Sequence, residues 1–236
     1  MAHLSRIAAP KIWQIPRKNR KWITRTKPGP YSLDSSINID ILLRYILKYG
    51  LTKRDIKKIL NNKEIKIDNK IRQDQHFAIG LMDTISIEKL NKFYRLVLNK
   101  KGKFLLTEIA KEESYIKPVK VINKTILPKN RIQLNLSDGR NIIVNKDTYS
   151  VSDTLVLDLN NNKIINHLPL KEGATIYLMG GTKLGSIGKI ISVNKGIGMQ
   201  PAKITFSIDK ETHETLKKFA YVIGVDKPII TLQNEK

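Results

Sequence analysis

Between His3 and Leu33 the chain carries eight basic residues, Arg6, Lys11, Arg17, Lys18, Arg20, Lys21, Arg25 and Lys27, and no Asp or Glu. Pro10, Pro16, Pro28 and Pro30 interrupt helical runs here, because proline lacks a backbone N–H and its ring clashes with the preceding turn. The apolar residues keep neither helical nor strand periodicity, so the segment has no continuous face to bury. Residues 1–36 are therefore expected to form an extended basic arm that gains order from a partner. Pro28-Gly29-Pro30 then turns the chain into a folded body.

The partner's sign follows from the whole chain. Its 236 residues include 43 Lys plus Arg against 21 Asp plus Glu, a formal charge of +22. Such a field attracts polyanions: nucleic acid, an anionic membrane surface or an acidic protein. A hydrophobic content of 41% supports genuine cores in two or three small domains rather than a disordered basic chain.

Cysteine is absent, which removes disulfides, thiolate nucleophiles and Cys-based zinc sites. Apolar runs fall short of a membrane span, and the first residues lack a signal-peptide core, so a cytoplasmic protein with no membrane partner is expected. His3, His76, His167 and His213 show no metal-ligand spacing. No P-loop, dinucleotide fingerprint or nucleophile elbow is readable. The expectation is no enzyme activity, metal, cofactor or small-molecule substrate.

After the arm, Ile39, Leu42, Leu43 and Ile46 repeat at helical spacing and predict a helix over about 39–49, stopped by Gly50 in a left-handed turn. Thr52 and Asp55 form a capping-box pattern before a second helix with Ile56, Ile59 and Leu60 inside. Lys53, Arg54, Lys57 and Lys58 occupy its other face. Glu64-Ile65-Lys66-Ile67 alternates as a strand, Asp68-Asn69 supplies a turn, and Asp83 to Ile87 reads as another strand. Residues 37–92 thus resemble the alpha-L type RNA-binding module.

Short alternating runs from Phe93 on, among them RLVL, KFLL, IQLNL, NIIV, TLVLDL and KIINHL, predict a central β domain at 93–168. Ser137-Asp138-Gly139-Arg140 marks a hairpin. The stretch GATIYLMGGTKLGSIGKIISV, with Gly180, Gly181, Gly185 and Gly188, resembles the KOW motif of a small β-barrel and opens a domain at 169–236. AKITFSI, FAYVIG and PIITL are candidates for its remaining strands. The fold class read from the chain is α+β, mostly β.

Aromatic faces and guanidinium planes together are the usual instruments for unstacked bases and RNA backbones. The candidate RNA-binding residues are therefore Arg6, Lys11, Trp13, Arg17, Lys18, Arg20, Lys21, Trp22, Arg25 and Lys27 in the arm. Lys53, Arg54, Lys57, Lys58, Lys63, Lys70 and Arg72 follow in the helical module, and Lys183 and Lys189 beside the glycine loop. The tryptophans have an alternative use, as anchors of the arm against its own protein.

The order of parts adds a resemblance. HLSRIAAPKIWQIPRK, TKPGPYSL, EIKIDNKIRQD, GLMDTISI, IQLNLSDGRNIIV, INHLPLKEGA and GGTKLGSIGKI are together similar to ribosomal protein four of the small subunit, e-type, of archaea and eukaryotes. His3, Arg6, Pro10 and Trp13 fall where that family's N-terminal motif has them, while Ser5 replaces a common lysine and removes one expected phosphate contact. The DGRN and HLPLKEGA runs look archaeal. The resemblance implies a structural rRNA-binding component of the small ribosomal subunit in the cytoplasm, with small-subunit rRNA and neighbouring ribosomal proteins as partners. The competing readings are an RNA-modifying enzyme that borrows an alpha-L module and a free RNA-binding factor.

Overall fold

Ile65 and Ile67 are buried with Lys66 between them, the alternation of a strand with one face inward. In the computed structural model, which describes residues 3–129, 131–196, 200–208 and 211–232, this strand sits inside a five-stranded sheet. The sheet order is Lys70–Ile71, Ile65–Ile67, Thr84–Ile87, Lys92–Leu98 and Phe104–Glu108. Asp68 and Asn69 take φ of 49° and 59°, the left-handed pair that a two-residue type I′ hairpin requires. The architecture is mostly β with few helices, and it divides into two units, Met1–Val97 with Gly102–Lys117 and Leu98–Lys101 with Pro118–Lys236.

In the first unit the expected helix over 39–49 is shorter and wider. It runs as an α-turn at Ile39–Ile41 capped by the Asn38 side chain, then as a π-type turn at Leu42–Ile46 in which the Leu47 N–H reaches the Leu42 carbonyl at 3.0 Å. Ile39, Ile41, Leu42 and Leu43 are all buried, so the apolar surface covers more than one stripe. The left-handed residue that ends the turn is Lys48 (φ 58°), not Gly50. Gly50 has extended or right-handed backbone instead and packs closely on the second helix: a Cβ there would lie 2.8 Å from Ile56 Cδ1 and 3.1 Å from Asp55 Cβ, so the Ile56 side chain would have to shift. The second helix, Lys53–Asn61, forms with both capping-box bonds between Thr52 and Asp55.

RLVL and KFLL, expected in the central β domain, belong instead to the first unit's sheet. Their neighbours explain it: Arg95 is buried and spends its guanidinium on Glu113 and on the Glu113 and Ile116 carbonyls of the same unit. A buried cluster also closes this unit: the Lys117 ammonium donates to Asp68 and Asp83 at 2.5 Å each, and Tyr31 donates to Asp83 at 2.6 Å.

The second unit contains two five-stranded sheets. One has the order Asn141–Val144, Arg131–Leu136, Ile116–Leu127, Thr154–Asp158 and Lys163–Leu168. Its core is Val119, Val121, Leu134, Leu136, Leu155 and Leu157. The Ser137-Asp138-Gly139-Arg140 hairpin forms as expected, with Gly139 at φ 78° and the Leu136 N–H on the Arg140 carbonyl at 3.0 Å. The other sheet has the order Glu211–Leu216, Lys203–Ile208, Ile187–Asn194, Thr175–Leu178 and Ala220–Gly224. PIITL is not a strand: residues 229–232 are irregular, with Ile230 and Leu232 buried. The strand role falls to ETHETL at the sheet edge, where one neighbour suffices and charged side chains are tolerated.

Candidate nucleic-acid interface

The basic N-terminal segment folds on its own unit, which corrects the expectation of an extended arm. Arg6 is 2% exposed. Its Nε donates to the Arg20 carbonyl at 2.9 Å, Nη1 to the Pro16 carbonyl at 3.0 Å and Nη2 to the Tyr45 hydroxyl at 3.0 Å. Arg17 gathers the loop before it, with bonds to the carbonyls of Ile7 at 3.1 Å, Ala9 at 2.8 Å and Pro10 at 2.8 Å. A proline-interrupted chain leaves carbonyls with no ladder to join, and the guanidinium fork supplies up to five donors in one plane to satisfy them. Trp13 is also 2% exposed and donates Nε1–H to the Ser36 carbonyl at 2.6 Å, while the Phe104 N–H bonds the Ile12 carbonyl at 3.1 Å. Arg6, Arg17 and Trp13 thus have internal work, and of the three Arg6 and Trp13 are buried.

No carboxylate pairs with Arg6 or Arg17 among the described residues, so their charge is retained rather than cancelled. Lys11, Lys18, Arg20, Lys21 and Arg25 are exposed along the same segment, and Lys27 shares an ion pair with Asp74. Trp22 differs from Trp13: it pairs with Ser5 in a two-residue strand and is 51% exposed. The Lys21 ammonium lies 4.9 Å from its ring centroid and the His3 ring 5.3 Å away.

The segment's fold brings Arg6, Arg20 and Trp22 beside the helical turn and the second helix. Together with Arg44, Tyr45 and Lys53 they line a cavity of about 440 Å³ that Asn19 and residues 50–52 complete. Arg44 donates to the Tyr45 hydroxyl at 3.0 Å and stacks with its carbon 4.7 Å from the ring centroid. Burial alone would raise the Tyr45 hydroxyl pKa, yet the Arg6 hydrogen bond and the charges of Arg44 and Arg6 outweigh it and hold it below its ordinary value. No carboxylate lines the cavity. Arg44, Tyr45 and Asn19 are absent from the sequence-derived set; the one signal for Arg44 and Tyr45 was a basic residue beside a tyrosine within an otherwise apolar helical run, and Asn19 carried none.

On the second helix, Ile56 and Leu60 are fully buried, whereas Lys53, Arg54, Lys57 and Lys58 are exposed. The Thr52 backbone and hydroxyl bonds hold the Asp55 carboxyl below its usual range and fix the first turn. Lys63 follows in a left-handed turn (φ 60°), Lys70 is exposed in the hairpin, and Arg72 stacks at 4.3 Å over Phe77. These three lie outside the cavity lining.

In the second unit, Lys183 and Lys189 are exposed around the loop between Thr175–Leu178 and Ile187–Asn194, with Lys189 3.9 Å from Asp226. Gly185 in that loop has φ 77° and packs so closely that a Cβ would sit 2.6 Å from the Asn99 carbonyl oxygen. Lys120 repeats the arm's device: its ammonium donates to the carbonyls of Lys217, Lys218 and Ala220 at 3.3, 2.9 and 2.7 Å. Burial, with the Lys217 charge adding to it, pushes its pKa down to about 8.

His76 bonds the Arg25 carbonyl at 2.8 Å, His167 bonds Asp153 at 2.7 Å and His213 lies 3.4 Å from Glu211. No group of His, Asp and Glu among the described residues has the placement to hold a metal ion. No helix among them is long and apolar enough to cross a membrane.

The chain is similar to known proteins over nearly its whole length. The model of the ribosomal family S4e matches residues 90–164, and the RS4NT (NUC023) domain matches residues 2–34, the segment that Arg6, Arg17 and Trp13 organise. The small ribosomal subunit protein eS4 of Methanosphaera stadtmanae is 36% identical over 230 residues, covering 98% of this chain and 95% of that protein. That of Methanocaldococcus jannaschii is 34% identical over 239 residues, covering 98% and 97%. The crystal structure of the 30S ribosomal protein S4e from Thermoplasma acidophilum superimposes with a TM-score of 0.72 at 31% identity, over 81% of this chain and 96% of that one. With such identity sustained over nearly its whole length, the chain belongs to the S4e family of ribosomal proteins.

Proposed function

We propose that the protein is a structural, non-enzymatic component of the small ribosomal subunit in the cytoplasm, binding small-subunit rRNA beside neighbouring ribosomal proteins. The observation that carries this reading is a set of exposed cations outside any ion pair among the described residues, including Lys11, Lys18, Arg20, Lys21 and Arg25 on the folded segment and Lys53, Arg54, Lys57 and Lys58 on one helix face. Phosphates satisfy such a surface and position the protein without reading sequence. We read the turn at 39–46, the helix Lys53–Asn61 and the strands Ile65–Ile67 and Thr84–Ile87 as an alpha-L type module. The glycine loop between Thr175–Leu178 and Ile187–Asn194 is read as a KOW-type element presenting Lys183 and Lys189.

In this reading Lys11, Lys18, Arg20, Lys21, Trp22 and Arg25 face RNA from the segment that Arg6, Trp13 and Arg17 build, and Lys27 does so while sharing Asp74. Lys63, Lys70 and Arg72 extend the surface past the second helix. The test is the salt dependence of affinity for a small-subunit rRNA fragment. The expected log–log slope is about −4 or steeper, the release of several counterions. A slope near zero contradicts distributed phosphate binding.

A further inference from the structure

A surface that only neutralises phosphates needs charge and no concavity, yet the cations of the first unit surround one. The cavity's volume, about 440 Å³, falls within the range of small-ligand sites and is far too small for a duplex. One wall is an indole that is half exposed, although the other tryptophan of the same segment is buried. Arg20 and Lys53 are exposed in the lining without a side-chain partner among the described residues, and Arg44 sits beside Tyr45. The lining itself includes no carboxylate, although the buried Asp40 carboxylate lies 3.7 Å from Arg44 as its ion-pair partner, and Asn19 offers a carboxamide able to meet a base edge.

We infer that this cavity takes one unpaired ribonucleotide, its base stacked on Trp22 and its flanking phosphates held by Arg20, Arg44 and Lys53. The inference rests on the RNA-binding reading above and narrows it from phosphate contact in general to recognition of a bulged or looped-out nucleotide. Every base has a π-face, so an indole platform accepts any of the four and selects for the unpaired state instead of for sequence. A paired base keeps both faces in its own stack and cannot enter. Arg6 acts here as a positioning residue: its bonds to the Arg20 carbonyl and the Tyr45 hydroxyl fix two walls of the cavity relative to each other.

The experiment compares the full-length protein on two RNAs, a perfect hairpin and the same hairpin with a single bulged adenosine. Affinity is read by anisotropy of a label on the RNA, and stacking by quenching of tryptophan fluorescence. The bulged RNA should bind about tenfold more tightly and quench Trp22 emission, with Trp13 providing a buried, unquenched background. In Trp22→Ala the ratio between the two RNAs should collapse toward one, while Trp22→Phe, which keeps an aromatic face and the local strand pairing, should retain part of it. Arg20→Gln, which alters a side chain the fold does not use, should also reduce the preference. Equal affinity for both RNAs in the unmodified protein, or a bulge preference that survives Trp22→Ala, overturns the nucleotide site and leaves phosphate binding standing. Failure to bind either RNA overturns the RNA-binding reading itself, and the nucleotide site with it.

Discussion

The N-terminal segment and the central sheet of the second unit solve the same problem with different chemistry. In the sheet, Val119, Val121, Leu134, Leu136, Leu155 and Leu157 are each no more than 3% exposed, and interlocking aliphatic side chains fix strand positions that backbone ladders already satisfy. Residues 3–33 have few such groups, with Leu4, Ala9, Trp13 and Ile23 the buried apolar ones. Their carbonyls instead meet guanidinium donors from Arg6 and Arg17. An acid-free basic stretch is therefore not by itself a disordered one. Arginine can organise irregular backbone through carbonyl dipoles, and because dipoles do not cancel charge, the folded segment remains cationic.

That contrast breaks most readily at Trp13. If the segment is an integral part of its unit, Trp13→Ala removes a buried indole and a hydrogen bond to Ser36, and should cost about 3 to 5 kcal/mol in urea denaturation. Leu134→Ala in the central sheet should fall in the same range, about 2 to 5 kcal/mol. A cost below about 1 kcal/mol for Trp13→Ala beside a full-sized effect at Leu134 would make the segment a peripheral attachment.

A smaller effect sharpens the chemistry. Arg6→Lys keeps the charge but not the fork, so one ammonium cannot serve the Arg20 carbonyl, the Pro16 carbonyl and the Tyr45 hydroxyl in the arginine's geometry. The expected loss is about 2 kcal/mol by thermal or urea unfolding. Unchanged stability would show that charge alone, rather than directed donors, holds this region together.

Much of the fold was legible because local signals agreed with tertiary demand. The Thr52–Asp55 capping box, the Asp68-Asn69 turn and the Ser137–Arg140 hairpin each follow from side-chain chemistry that acts within a few residues. The misreadings share a cause in long-range partners. RLVL has strand character wherever it is placed, and only the pairing of Arg95 with Glu113 and Ile116 shows which unit it joins. Ile39 to Ile46 has helical spacing, yet its second half closes as a π-type turn, with Ile39, Ile41, Leu42 and Leu43 all buried. ETHETL has no alternating apolar face and becomes a strand through its pairing with Lys203–Ile208.

The candidate site was legible in its charges and not in its shape. The exposed face of the second helix follows from periodicity, since Ile56 and Leu60 fix which way Lys53, Arg54, Lys57 and Lys58 point. Arg6 and Arg20 look alike in sequence, yet one is buried and the other exposed, because the acceptors that claim Arg6 are backbone carbonyls and a tyrosine 39 residues away. Trp13 and Trp22 divide in the same way, one inside and one at a cavity wall.

Whether residues 3–33 are folded without RNA is read by amide hydrogen exchange on the free protein. The amides of Arg6, Lys27 and Phe104 donate to the carbonyls of Lys21, His76 and Ile12 at 2.9, 2.9 and 3.1 Å, and together they report whether residues 3–33 are folded. All three should exchange at least about 100-fold more slowly than an unstructured chain, within reach of the central-sheet amides. Exchange of Arg6 and Lys27 at unstructured rates in the free protein, with protection gained only on RNA, would contradict a folded segment and restore the partner-ordered arm.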